Sequence, residues 1–335
     1  MANQVIQQPS FTPSGPHLRN FGSVALSLPG KYYLQCVLVV GAIVLAGIVP
    51  NFGSISNLQS ILLEASFAGF VACGETLLIA AGLFDLSVAG LMAISAIAMA
   101  QSLTSLNPVL AILIGLAVGA LGGLLNGLIV TKVKIPAFIA TLGMMNIYLA
   151  GAFIWTDGNV VIVTSPTVLN FAGASVLGFP IPFLVFAAVC VVGYFLLQRT
   201  YFGRTLRAIG SSEQATTMAG LPVNRVKIIA FVVAGLMAGI GAIALTGLLS
   251  SASGTMASGY ELNAIAIAVV GGTGLRGGQG TFFGTFTAAL FFAALDDALN
   301  LLNINSYWQY VAIGGVLVIA LFLGALRQTT VRGAE

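Results

Sequence analysis

The sequence predicts an all-α protein: a polytopic membrane helical bundle of about ten transmembrane helices with both termini in the cytoplasm. Three observations predict it. Hydrophobic residues fill 58% of the 335 positions and charged residues only 6%, where a water-soluble domain carries about 25%. So few charges cannot cover a water-facing surface, and the solvent must be lipid. Apolar runs recur at the length of about 20 residues that a helix needs to cross a bilayer core. The twelve cations fall into clusters: Arg19 and Lys31; Lys132 and Lys134; Arg199, Arg204, Arg207, Arg225 and Lys227; Arg276; Arg327 and Arg332. The stretches between clusters are each long enough for an even number of crossings, so all twelve can share one compartment, which the positive-inside rule makes the cytoplasm. Abundant glycine, 41 residues, suits helices that pack closely in lipid.

Residues 1–30 are polar and contain Pro9, Pro13, Pro16 and Pro29. They predict a flexible cytoplasmic tail, too long and too polar for an ordinary cleaved signal peptide. A single transmembrane domain over 31–326 follows, then a cytoplasmic tail at 327–335. The first span, Tyr32 to Val49, is an uncleaved anchor, and Pro50-Asn51 opens an outer loop. The second runs from Ile61 to Ala81 and stops at Gly82; the third runs from Leu86 to Leu106. Asn107-Pro108 turns the chain into the fourth, Val109 to Val130, and Lys132 and Lys134 mark its inner end. The fifth covers Ala137 to Thr156. An outer loop from Asp157 reaches Pro180, and the sixth runs from Ile181 to Leu197. The longest charged stretch, 199–227, is a cytoplasmic loop. The seventh span is Ile228 to Leu249, and Ser250 to Gly259 faces out. The eighth, Glu261 to Val270, is short and leads into the inward-facing glycine-rich stretch Gly271 to Gly280. The ninth is Thr281 to Leu299 and the tenth Trp308 to Leu326. The second and eighth spans both break into glycines near the inner face, a pattern that points to a pathway in transporters. Gly82 and Gly90 share a spacing with Gly272 and Gly280, too slight a likeness to define a repeat.

Cys36, Cys73 and Cys190 lie far apart in apolar runs and read as small core residues. The one histidine, His17, sits in the tail, so neither a disulfide frame nor an imidazole metal site is expected. Glu64 and Glu75 are about three helical turns apart and share a face. Intramembrane carboxylates are costly and face a cavity or a partner: Glu64 reads as interfacial, whereas Glu75 either lines a solute path or is protonated or bonded to a neighbouring helix. Asp85 follows a glycine and precedes an apolar run, where it can cap the third helix or meet the solute. In the loop, Ser211 to Ala219 predicts a short helix capped by Ser211 or Ser212 and stopped by Gly220-Leu221-Pro222. That helix either docks a cytoplasmic partner or belongs to a basic loop that fixes topology. Gly272-Thr273-Gly274-Leu275-Arg276-Gly277 matches a dinucleotide fingerprint in spacing only, because no strand-to-helix junction surrounds it, and no phosphate-loop pattern occurs. Binding of nucleotide or nucleic acid by this chain is not expected. Tyr260-Glu261-Leu262-Asn263, Trp155, Asn159 and Tyr307-Trp308 stand near outer ends, where aromatics form interfacial belts or stack on a sugar ring.

Five segments in this order carry a family resemblance. They are Ala81 to Val88; Asn126-Gly127-Leu128 through Lys134 to Gly143; Thr200 to Arg204 running into Ile209 to Pro222; Gly259 to Leu262 through Gly271-Gly272 to Gly280; and Leu299 to Ile304. The chain resembles the permease subunits of ribose-, arabinose- and galactose-type ABC importers. The resemblance implies a membrane core of two such chains, this chain twice or with a paralogue. It also implies a cytoplasmic ABC ATPase that carries the ATP and magnesium, a periplasmic or lipid-anchored sugar-binding protein, and a bacterial inner-membrane location. No cofactor is implied on this chain. Glu213, Ala215 and Gly220 match the family's E-A-A…G docking motif, with Gln214 in place of the middle alanine, and Ala89 stands where a glycine is frequent. The ATPase-docking candidates are Arg207, Gly210, Ser211, Glu213, Ala215 and Gly220. Glu75, Asp85, Asn126, Glu261 and Asn263 are the substrate-path candidates. The expected mechanism is alternating access, driven by ATP on the partner and by its different affinity for the two states. The rival readings are a stand-alone secondary transporter or channel, which needs no docking motif, and an intramembrane enzyme, which needs a nucleophile and base or clustered metal ligands.

Overall fold

The computed structural model describes residues 33–305 together with 307, 308, 311, 314, 315 and 318. The predicted tails, with Arg19, Lys31, Arg327 and Arg332, lie outside the described residues, as does most of the tenth span. The described chain is helical almost throughout: α1 (Tyr33–Ile48), α2 (Ile55–Ala80), α3 (Val88–Ser102), α4 (Pro108–Leu128) running into a π-helical turn at Ile129–Val133, α5 (Ala137–Thr156), α6 (Pro166–Gly173), α7 (Ile181–Arg199), α8 (Tyr201–Ser211), α9 (Glu213–Met218), α10 (Val223–Leu249), α11 (Tyr260–Val270) and α12 (Phe282–Leu301). Two antiparallel pairs of two-residue strands decorate one end, β1 (Val161–Ile162) with β4 (Ser251–Ala252) and β2 (Ser175–Val176) with β3 (Phe179–Pro180).

Six described helices are long and apolar enough to cross a membrane: α2, α4 with its π turn, α5, α7, α10 and α12. Helices α1, α3 and α11 are apolar but shorter. At 11 residues, α11 is about 16 Å long, roughly half a bilayer core. Local chemistry sets the ends. Ser54 accepts from the Asn57 N–H and starts α2 six residues before the expected Ile61, because a cap outweighs the polar Asn57, Gln59 and Ser60 that made this turn look like loop. Asn107 caps α4 with Pro108 at its first position. The outer loop expected at 157–180 contains α6 and the strands β1, β2 and β3, β1 pairing with β4 of the later outer loop, and the loop at 199–227 contains α8 as well as the expected short helix.

Helix α2 is the axis of the bundle. Nearly every residue from Ala65 to Ala80 is buried, and α7, α10, α11 and α12 pack around it. Helix α10 runs antiparallel to both α2 and α4. Its contact with α4 is a backbone seam: added side-chain atoms at Gly119, Gly123 and Gly127 of α4 would meet the Gly235 carbonyl, the Phe231 carbonyl and Ile228 Cα of α10. Without an extra hydrophobic drive in lipid, such close approach is what holds two helices together. The lipid side keeps large apolar residues exposed, among them Ile43, Leu113, Leu121, Ile147, Val192 and Phe195.

Both interrupted spans end alike. At the end of α2 the Leu83 N–H reaches back to the Leu78 carbonyl and the Gly82 N–H to Ile79; at the end of α11 Thr273 reaches Ala268 and Gly272 reaches Val269. Gly82 and Gly272 take the left-handed φ of 73° and 94° that this pattern requires. The same stop ends α9 at Gly220, and Gly90 and Gly280 have unrelated neighbours, so the slight spacing likeness marks a shared helix ending rather than a repeat.

The antiparallel seam between α4 and α10 sorts the charges. Lys132 and Lys134, Arg199, Arg204 and Arg207, Arg225 and Lys227, and Arg276 gather at the end where α2, α4, α7 and α11 stop and α10 begins. Glu64, Asp157, Glu261, Asp296 and Asp297 lie toward the other end.

Candidate functional site

Between α2 and α3 the chain leaves the helix while still inside the protein. Asp85 and Ser87 are fully buried, and so is Asn126 of α4. Non-helical backbone at membrane depth survives only where the protein satisfies its polar groups, and side chains do so here. The Thr141 hydroxyl accepts from the Leu86 N–H at 3.1 Å. Asp85 Oδ1 accepts from the Ser87 N–H at 2.8 Å and from the Ser87 hydroxyl at 2.6 Å. Asn126 Nδ2 donates to Asp85 Oδ2 at 3.2 Å and to Ser87 Oγ at 2.7 Å. The Tyr148 hydroxyl of α5 donates to Asn126 Oδ1 at 3.1 Å and to the Gly122 carbonyl at 2.9 Å. The cap position of α3 is Ser87, whose side chain makes no cap bond. Asp85 thus fastens the backbone just ahead of the helix and ties it to α4, a wider task than the cap expected of it. Next to this network Glu75 is fully buried, with no hydrogen-bond partner for either oxygen. The sequence candidates Glu75, Asp85 and Asn126 therefore come together; Ser87, Thr141 and Tyr148 complete the set and carried no signal of their own.

A second polar cluster lies toward the acidic end, between α2, α11 and α12. Glu64 lies within electrostatic range of Asp296 and Asp297, and Tyr260 within that of Glu64 and Asp296. Asn57 Nδ2 donates to Asp297 Oδ2 at 2.6 Å. Asp296 Oδ1 is buried without a partner, and so is Asn263 Oδ1. Glu261 Oε2 accepts from the Gly259 N–H at 3.1 Å, bracing the left-handed turn that starts α11. Of the sequence candidates, Glu261 and Asn263 belong to this end and stand apart from Glu75, Asp85 and Asn126. Glu64, expected at the interface, is part-buried among acids. Asp296 and Asp297 were missed, although two adjacent acids in the apolar run Ala293 to Leu299 were the available signal. A cavity of about 290 Å³ at the same end of α2 is lined by Ser56, Gln59, Ser60 and Ser175 together with apolar residues of α6 and α10 such as Leu169 and Leu248. Among the described residues, no cluster of metal-ligating side chains occurs.

The basic end is built from the loop at 199–227. Helix α8 is amphipathic: Leu206 and Ile209 are buried, while Arg204 is exposed. Ser212 caps α9 by accepting from the Ala215 N–H at 3.2 Å, and Gly220, at φ 75°, stops it, both as expected. On α9 Thr216 alone is buried; Glu213, Gln214, Ala215, Thr217 and Met218 are exposed, Met218 by 77%. Gly210 behaves differently from the other docking candidates. An added methyl there would collide with the Ala80 carbonyl of α2 and the Gly278 N–H of the glycine-rich turn. The Gly278 N–H itself donates to Ala80 at 2.9 Å. Gly210 therefore wedges the end of α8 against the end of α2. The glycine-rich turn joins α11 to α12, helix to helix, so the dinucleotide spacing has no functional setting. Arg207 Nε is buried without a partner, and Ser211 donates back to the Arg207 carbonyl.

Cys73 and Cys190, distant in sequence, bring their sulfurs to 3.6 Å between α2 and α7 as free thiols. Trp155, Tyr307 and Trp308 are exposed, as an interfacial belt requires.

Comparison with known proteins agrees with this architecture. Residues 57–321 match the family model described as "Branched-chain amino acid transport system / permease component". The ribose import permease protein RbsC of Haemophilus influenzae is 36% identical over 301 residues, covering 87% of this chain and 93% of that protein. RbsC of Bacillus subtilis is 37% identical, covering 85% and 90%. The L-arabinose transport system permease protein AraH of Escherichia coli K12 is 36% identical, covering 90% and 92%. No solved structure matches the chain at a significant level. With its buried helix breaks, its charge-sorted ends and a match along most of its length, the chain belongs to this family of membrane transport-system permeases.

Proposed function

We propose that this chain is the transmembrane permease subunit of an ABC importer that moves a monosaccharide, a pentose or hexose, or a related polyol across the bacterial cytoplasmic membrane. The observation that carries the proposal is α9. It is a capped, exposed helix at the basic end, in a chain more than a third identical to ribose and arabinose permeases. The chain crosses the membrane about ten times, with both termini, the tails at 1–30 and 327–335 and the loop at 199–227 in the cytoplasm. ATP and magnesium are held by a separate ATPase subunit, and this chain is not itself an enzyme and carries no cofactor. Helix α9 and the turn that ends it offer Ala215, Met218 and Gly220 to that subunit, while Arg207, Gly210, Ser211 and Glu213 shape the platform behind it. A periplasmic or lipid-anchored binding protein delivers sugar at the acidic end, and a second permease copy or a paralogue completes the path.

The path runs past the outer acids and Asn263 toward Glu75. Carboxylates, amides and a phenol are the groups that exchange hydrogen bonds with sugar hydroxyls. The path needs no strong site, because the binding protein supplies affinity. In the test, vesicles containing the permease, its ATPase and its binding protein are given labelled ribose or arabinose. Uptake should require all three proteins and ATP. Uptake by the permease alone under a proton gradient would make it a stand-alone carrier and overturn the reading.

A further inference from the structure

The acid of the docking motif is already engaged within the chain. Glu213 Oε1 lies 2.6 Å from Lys227 Nζ, the one ion pair among the described residues. The two partners differ in setting: the Lys227 side chain is 9% exposed and that of Glu213 56%. Lys227 sits near the start of α10, where the helix dipole disfavours a cation, and where α8, α9 and the π turn all meet α10. A buried cation there needs an acid, and Glu213 is the acid in reach. Helix α9 is stiff behind that acid: Ser212 caps it, the buried Thr216 hydroxyl donates to the Ser212 carbonyl, and the Thr217 hydroxyl donates to the Glu213 carbonyl. Helix α10 in turn packs on α2, α3 and α4, the helices around the buried polar network.

We infer that Glu213 is a positioning residue: its ion pair with the buried Lys227 braces the docking helix on the base of α10, so that a push on α9 moves α10. This rests on the proposed function and assigns one residue's part in it. Contact with the ATPase then falls to the outward residues, Ala215, Met218 and Gly220, and Glu213 carries the resulting motion inward.

The test uses the whole transporter, the permease with its ATPase and binding protein. Wild-type uptake driven by ATP is the control, and its absence would count against the proposed function rather than against this pair. Glu213→Gln should still co-purify with the ATPase and still support ATP hydrolysis, while sugar moved per ATP falls about tenfold. The swapped pair, Glu213→Lys with Lys227→Glu, should recover at least about half of the wild-type ratio, because the brace is restored with its charges exchanged. Glu213 is exposed, so its neutral variant tests the brace without stranding the fold; Lys227→Gln, which removes the buried positive charge, serves as the second variant and should uncouple likewise. The inference is overturned if Glu213→Gln sheds the ATPase, if its sugar-to-ATP ratio equals wild type, or if the swapped pair does no better than Glu213→Gln.

Discussion

The two polar clusters of this protein differ in how completely their groups are partnered. Around Asp85, each carboxylate oxygen accepts at least one bond from Ser87 or Asn126, and Tyr148 ties the set to α5. Around Glu64, Asp296 and Asp297 lie within electrostatic range; Asn57 donates to Asp297, and Asp296 Oδ1 is buried without a partner. The first arrangement is what a helix break inside a membrane protein demands, since unpartnered backbone in lipid is not tolerated. The second leaves acid and amide oxygens without a partner inside the protein, at Asp296 and Asn263. The difference separates a joint that holds the bundle's shape from a cluster that we propose lies on the solute path. Glu75 lies between them in character: it is packed in the joint's neighbourhood but has no partner of its own.

That contrast can be broken or sharpened by substitution. The largest effect is expected at the joint between α8 and α2. Gly210→Val would drive a branched side chain into the backbone of Ala80 and Gly278, costing about 1–3 kcal/mol through overpacking and abolishing sugar uptake. Near-normal uptake would mean that α8 and α2 do not move as one. Next comes Asn126→Leu, which leaves the buried Asp85 with fewer donors and Tyr148 without one acceptor. It should cost about 1–3 kcal/mol, read as a lower unfolding temperature in detergent; an unchanged temperature would dissolve the distinction between the clusters. Glu64→Gln, by contrast, should change stability by less than about 0.5 kcal/mol while raising the sugar-complex concentration needed for half-maximal uptake. The smallest effect is expected from Met218→Ala, which should leave the fold intact and weaken co-purification of the ATPase.

Much of this was legible in the sequence because short-range chemistry decides it. The span Ala137 to Thr156 is α5 to the residue, Ser212 caps α9, and Gly82 ends α2, since caps, glycines and apolar length act locally. Glu75, Asp85 and Asn126 stood among five candidates for a solute path, but that these three meet while Glu261 and Asn263 stand apart is set by helix packing. Other features depend on which helices touch. Gly210 looked like part of a docking surface, and only the arrival of Ala80 and Gly278 turns it into a wedge. The proximity of Cys73 to Cys190 and of Glu64 to Asp296 is likewise a product of helix packing rather than of spacing. Helix α8 was hidden because its arginines were read for topology and its buried stripe of Leu206 and Ile209 was not weighed.

The glycine-rich turn, the α8–α9 platform and the end of α4 form one face of the protein, and we propose that this face lies in the cytoplasm beside an ATPase. This placement is tested most directly by single cysteines at Lys132, Arg207 and Arg276, in a background with Cys36, Cys73 and Cys190 replaced by alanine. The account predicts that a membrane-impermeant thiol reagent labels all three from the cytoplasmic side and none from outside. Labelling of Lys132→Cys and Arg207→Cys from opposite sides of the membrane would contradict it.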